Sequence, residues 1–157
     1  MKREIFVKIG EVKVGRDEDT LKATLGSCVG IAFLWKEKNI FGLAHCLLPD
    51  GSEQIYRLSA RYVALAIPSL MTMMEITPAD VGKIEVHIAG GGNMHEPVVQ
   101  VKTAPIGQQN YEKARALLKE KGFRIQTEDV GGDTARQIIV KCGTAEVIVR
   151  KINAVSI

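Results

Sequence analysis

Apolar and polar residues alternate at the start of the chain, with Ile5, Val7 and Ile9 followed by Val12 and Val14. That period of two predicts two short strands over 4–14 with a turn at Gly10. The polar run Gly15-Arg16-Asp17-Glu18-Asp19 reads as a solvated loop, and 21–25 leads into a Gly26-Ser27 turn. Two nearly continuous apolar runs follow, 28–35 and 40–48, joined by the polar Lys36-Glu37-Lys38-Asn39. They predict adjacent buried strands. Pro49-Asp50-Gly51-Ser52 then breaks the chain.

At 59–74 the period becomes helical. Tyr62, Leu65, Ala66, Ser69, Leu70, Met73 and Met74 share one broad face, with Ser59 or Ser52 as the cap. Pro68 inside this pattern is expected to kink or divide the helix. A strand over 83–89 ends in Gly90-Gly91-Gly92-Asn93, and a shorter one is expected over 98–101. The spacing of Ala114, Leu117 and Leu118 predicts an amphipathic helix over 111–121, capped by Asn110 and stopped by Gly122. A strand over 123–129, a Gly131-Gly132-Asp133 turn and a hairpin of 135–141 with 145–152 complete the chain. Many strands with two principal helices point to α+β layers rather than a doubly wound parallel sheet.

Composition narrows the function more than the fold. The 157 residues, 46% hydrophobic and 25% charged, suit a single domain over 1–157 with a sizeable core. The net charge of +3 and the one Trp, three Tyr and four Phe argue against a base-stacking nucleic-acid platform. The longest apolar stretch, 62–74, is too short to span a membrane and contains Pro68. The first residues lack the apolar core of a signal peptide. Three cysteines without a Cys-x-x-Cys pair read as free thiols of a cytoplasmic protein.

Candidate chemistry centres on Cys28 and His45. Cys28 stands where the Gly26-Ser27 turn meets an apolar strand, a place where backbone amides near Ser27 and Cys28 can form an oxyanion hole. His45 lies on the neighbouring strand, so a thiol and an imidazole can meet across the pair. Taken singly, each also reads as an ordinary core residue. Strand alternation sends Cys46 to the opposite face from His45, and Cys142 reads as structural. His87 and His95 flank the glycine run, but their spacing matches no compact zinc site, and Gly90-Gly91-Gly92 is no dinucleotide fingerprint. No metal or cofactor is expected.

Several motifs, in order along nearly the whole chain, resemble those of the CheD family of chemoreceptor glutamine deamidases. They are Leu25-Gly26-Ser27-Cys28-Val29, Ala44-His45 with Leu48-Pro49, Ile88-Ala89-Gly90-Gly91-Gly92-Asn93-Met94, Ile106-Gly107 with Asn110, Glu128-Asp129-Val130-Gly131-Gly132 with Arg136, and Val147-Ile148-Val149-Arg150-Lys151. The resemblance implies a layered α/β sandwich of mixed sheet, the cysteine hydrolase fold of the cytotoxic necrotising factor deamidases. It implies Cys28 as nucleophile, His45 as base, and a threonine upstream of the cysteine as the third residue. Thr24 is taken for that role, with Thr20 the other upstream threonine. The activity implied is deamidation of receptor glutamines through a thioester, with receptor methyl-ester hydrolysis by the same route. The partners implied are a chemoreceptor cytoplasmic domain and the CheC phosphatase. A docking module without catalysis, acting on CheC, is the alternative.

Overall fold

The computed structural model describes residues 2–51, 57–94 and 104–152. Its strands are β1 (Glu4–Phe6), β2 (Val12–Gly15), β3 (Thr20–Leu25), β4 (Val29–Trp35), β5 (Ile40–Cys46), β6 (Glu85–Gly90), β7 (Ile125–Val130), β8 (Arg136–Lys141) and β9 (Glu146–Lys151). The helices are α1 (Val63–Met73) and α2 (Ile106–Glu120). One sheet runs β2-β5-β4-β6-β7 and the other β1-β3-β8-β9. Both are mixed, because β6 with β7 and β1 with β3 are parallel and the remaining pairs antiparallel. The α+β expectation therefore holds. The strand expected over 98–101 and the candidates His95 and Ser52 lie outside the described residues.

β4 shows why the layers form. It is buried over its whole length, so both of its faces need a partner. Val29, Ile31, Phe33 and Trp35 face a core shared with α1 and α2. Ala32 and Leu34 face a second core shared with Leu21, Leu25, Ile138 and Val140 of the other sheet. The order is thus helices, five-stranded sheet, four-stranded sheet. Gly42 lets α1 approach β5, since a Cβ there would stand 2.7 Å from Leu70 Cδ2.

Three local expectations are corrected. Pro68 does not divide α1, which runs unbroken over Val63–Met73 with Pro68 on its exposed side. Ser59 is no cap. The first amides of α1 are met instead by the carbonyls of Leu48 (2.8 Å) and Pro49 (3.1 Å), where the chain leaves β5. The acidic loop is not wholly solvated: Asp19 is 3% exposed, grips the Arg3 guanidinium at 2.9 and 2.7 Å, and caps the Arg16 amide at 3.0 Å.

Candidate active site

The Gly26-Ser27-Cys28 turn carries the chain from β3 in one sheet to β4 in the other. Its three successive carbonyls are all held. Gly26 O accepts from the Gly92 amide at 2.9 Å, Ser27 O from Asn110 Nδ2 at 3.1 Å, and Cys28 O from the Gly91 amide at 2.9 Å. The peptides are trans, so each following N–H points opposite to the held carbonyl. Among the described residues, the Ser27 and Cys28 amides have no acceptor other than the Cys28 sulfur. Two fixed donors beside a thiol are the equipment for stabilising an oxyanion. The glycine run serves this turn directly, by binding its carbonyls.

His45 reaches the same face of the five-stranded sheet. It pairs with Gly30 across β4 and β5, and Cys28 stands two residues before Gly30. The two are diagonal neighbours, which in an antiparallel pair lie about 7–8 Å apart at the backbone. The segment before β2 fixes the histidine. Gly10 N–H donates to His45 O at 2.8 Å, His45 N–H donates to Glu11 O at 3.0 Å, and the ring contacts Val7 O at 2.9 Å through Nδ1. A carbonyl only accepts, so Nδ1 carries the proton and Nε2 presents its lone pair. Nε2 is buried and has no partner among the described residues.

Burial sets the protonation of the pair. Cys28 is 6% exposed and His45 4%. Loss of water pushes the Cys28 thiol up, opposed by its own amide. It pushes the His45 imidazole down, opposed by the Val7 carbonyl and the Glu11 carboxylate. At neutral pH both groups are therefore uncharged at rest.

With this geometry in place, comparison with known proteins becomes specific. Residues 47–151 match the family model described as CheD chemotactic sensory transduction. The chain belongs to the CheD family. A protein of Ruegeria sp. (strain TM1040), named a probable chemoreceptor glutamine deamidase, is 36% identical over 95% of this chain and 92% of its own length. Proteins of the same description from Bdellovibrio bacteriovorus (38%, over 83% of each chain) and Methanococcus maripaludis strain C5 (36%, over 92% and 93%) are also similar. A solved Neisseria meningitidis protein of the DUF152 family aligns with a TM-score of 0.45 at 12% identity, covering 79% of this chain and 52% of its own, and decides nothing here.

The remaining candidates of this CheD chain are distributed as follows. Ser27 is half-buried in the turn. Thr24 is exposed and points away from the intersheet core that holds its neighbours Ala23 and Leu25; Thr20 is half-buried on that same outer face. The contact that orients His45 is the Val7 carbonyl, not a threonine. Cys46 faces the helices, opposite His45, and burial pushes its thiol far up. Cys142 is buried with its thiol pushed up to about 12. His87 lies between Thr127 (2.6 Å) and Glu85 (3.7 Å), and no group of metal-ligating side chains occurs among the described residues.

Two residues of the site were given other roles by the sequence. Asn110 is not a helix cap: α2 begins at Ile106, and Asn110 lies inside it, fully buried, against Ser27 and Leu47. Val7 reads in sequence as one alternating strand residue, and a backbone carbonyl leaves no signal in residue type. Arg136, 2% exposed, binds the Asp129 carboxylate at 2.8 Å and the carbonyls of Asp129, Gly131 and Thr134. The loop it holds braces the glycine run through Gly131 N–H to Gly90 O (3.0 Å) and Asn93 N–H to Gly132 O (2.7 Å).

Proposed function

We propose that this chain is a protein-glutamine deamidase that converts glutamines of a chemoreceptor cytoplasmic domain to glutamate, with Cys28 as nucleophile and His45 as base. The observation that carries the reading is that His45 Nε2, without a partner among the described residues, lies on the same sheet face as Cys28, beside amides of a clamped turn that have no acceptor there other than the Cys28 sulfur. The names of the CheD relatives supply the substrate class.

Nε2 takes the thiol proton as sulfur attacks the carboxamide carbon. The oxyanion is met by the Ser27 and Cys28 amides. As the tetrahedral species collapses, the C–N bond breaks and the imidazolium gives its proton to departing ammonia, leaving a thioester on Cys28. Water, losing its proton to Nε2, attacks the thioester; the glutamate departs and the thiol is restored. A methyl ester fits the same route, with methanol leaving in place of ammonia. Neither half-reaction calls for a metal or cofactor. The acting unit is the whole chain as one domain, in the cysteine hydrolase fold of the cytotoxic necrotising factor type. Its substrate places it in the cytoplasm, and no helix among the described residues is long and apolar enough to cross a membrane.

Incubation with a receptor cytoplasmic fragment, read by mass spectrometry, tests the reading. Wild type is expected to convert glutamine to glutamate and Cys28→Ala to convert none. Undiminished conversion by Cys28→Ala defeats it. The near-complete burial of Cys28 favours one second reading, a docking module for the CheC phosphatase. That reading expects CheC binding together with a Cys28 thiol inert to alkylation at neutral pH.

A further inference from the structure

We infer that Asn110 is a positioning residue for acyl transfer, holding the Ser27–Cys28 peptide plane so that the Cys28 N–H faces the oxyanion. This rests on the deamidase reading above. The first observation is that Asn110 is out of place as a helix residue. It is the fifth residue of α2 and fully buried, whereas asparagine is a mediocre helix former suited to caps. Its orientation is unambiguous. Both nearby groups, Ser27 O at 3.1 Å and Leu47 O at 3.0 Å, are acceptors, so the amino group faces them. Its Oδ1 is then buried without a donor among the described residues, which is destabilising. A leucine would fill this volume without that penalty. The residue therefore weakens the helix it sits in, and its contribution lies in what it holds.

What it holds is specific. The Gly26 and Cys28 carbonyls are fixed by backbone amides of the glycine run, but among the described residues the Ser27 carbonyl is fixed by this side chain alone. The Ser27 carbonyl and Cys28 N–H share one rigid trans plane and point in opposite directions. Turning the carbonyl toward α2 turns the amide away from it, toward the face where the Cys28 sulfur lies. The second bond, to Leu47 O, ties down the end of β5 two residues past His45. One carboxamide thus sets the nucleophile turn against the histidine strand.

The test uses Asn110→Leu and Asn110→Asp in the full chain, with thermal melts to establish folding. Two rates are compared: deamidation of a receptor fragment, and alkylation of Cys28 by iodoacetamide. Alkylation at sulfur depends on the thiol and His45 but forms no oxyanion. Both variants are expected to lose about 100-fold in kcat, with KM and the alkylation rate within about threefold of wild type. In Asn110→Asp a carboxylate opposes two carbonyls, while its acid form regains one donor. Its activity relative to wild type is therefore expected to climb as pH falls, with the Asn110→Leu ratio flat. A folded variant with kcat within about threefold of wild type overturns the inference. So does alkylation falling in step with kcat, or failure of both variants to fold, since either makes Asn110 a packing residue. An inactive wild type overturns the deamidase reading and takes this inference with it. An active wild type with indifferent variants overturns the inference alone.

Discussion

Replacing Gly90 by alanine probes the link between the glycine run and Cys28, the proposed nucleophile. Gly90 has φ +101, and a Cβ added there would stand 2.2 Å from Cys28 O and 3.1 Å from Leu25 Cβ. The first contact is with backbone and must open by at least 0.8 Å to reach the 3.0 Å below which Cβ contacts essentially never occur. Cys28 O is also the acceptor for Gly91 N–H at 2.9 Å, so the retreat strains or breaks that bond. The backbone strain costs about 1–3 kcal/mol, and an unmet buried hydrogen bond about 1–3 kcal/mol more. A combined loss of about 2–6 kcal/mol is a large part of the stability of an ordinary domain, about 5–15 kcal/mol. A displacement near 1 Å at the nucleophile costs about 100-fold in rate. Gly122→Ala is the control. Gly122 has φ +88, but its added Cβ would meet only Val81 Cγ1 at 3.8 Å, an ordinary contact. It is expected to show the backbone cost alone, with full activity. Urea unfolding and deamidation of a receptor fragment, measured on both variants, give the comparison. Gly90→Ala with the stability of Gly122→Ala and an unchanged kcat would refute the coupling.

Other consequences are simpler to check. Thr24→Ala is expected to leave kcat within about twofold of wild type, since the side chain stands on the outer face of β3; a large loss of kcat in a folded Thr24→Ala would return the third role to a threonine. Stability is expected to fall as pH drops through the ordinary histidine value of about 6.5, because His45 and His87 are held below it by burial and the unfolded chain binds the protons first. Urea midpoints that stay constant from about pH 7.5 down to about pH 5 would contradict this. The acid limb of kcat/KM is expected to lie below that same value of about 6.5, because Nε2 stays unprotonated longer than in a free imidazole; a limb at or above it would remove His45 as the base.

How much of this was legible in the sequence depends on which atoms make each contact. β4 and β5 were readable because a long apolar run needs two covered faces, and Cys46 could be set opposite His45 because strand alternation is a property of residue order. The terminal hairpin was readable for the same reason. The division into two sheets was not, since β1 and β2 are separated by one turn yet belong to different sheets. Asn110 was misread because asparagine three residues after Gly107 carries the local signature of a cap, while its long-range bonds to Ser27 and Leu47 leave no mark at that spacing. The orienting partner of His45 was illegible in principle, because a main-chain carbonyl is supplied by any residue.

The uncharged resting state of Cys28 and His45 has chemical consequences that run in one direction. A thiol held up by burial is rarely a thiolate, but the thiolate it forms is the stronger nucleophile, because nucleophilicity falls with pKa. An imidazole held down by burial is a weaker base, but the imidazolium it becomes is the stronger acid. The difficult event in amide hydrolysis is expulsion of nitrogen, which leaves only when protonated, and a strong acid next to the tetrahedral species serves that event. In the proposed mechanism the cost falls on forming the charged pair, and it is met in the transition state by the donors aimed at the oxyanion. Those donors are fixed before substrate arrives, because Gly92 and Asn110 already hold the Gly26 and Ser27 carbonyls that orient them. Under the proposed mechanism, burial and the clamped turn are therefore one device: the first withholds charge from the resting thiol, and the second receives it once the bond to carbon forms.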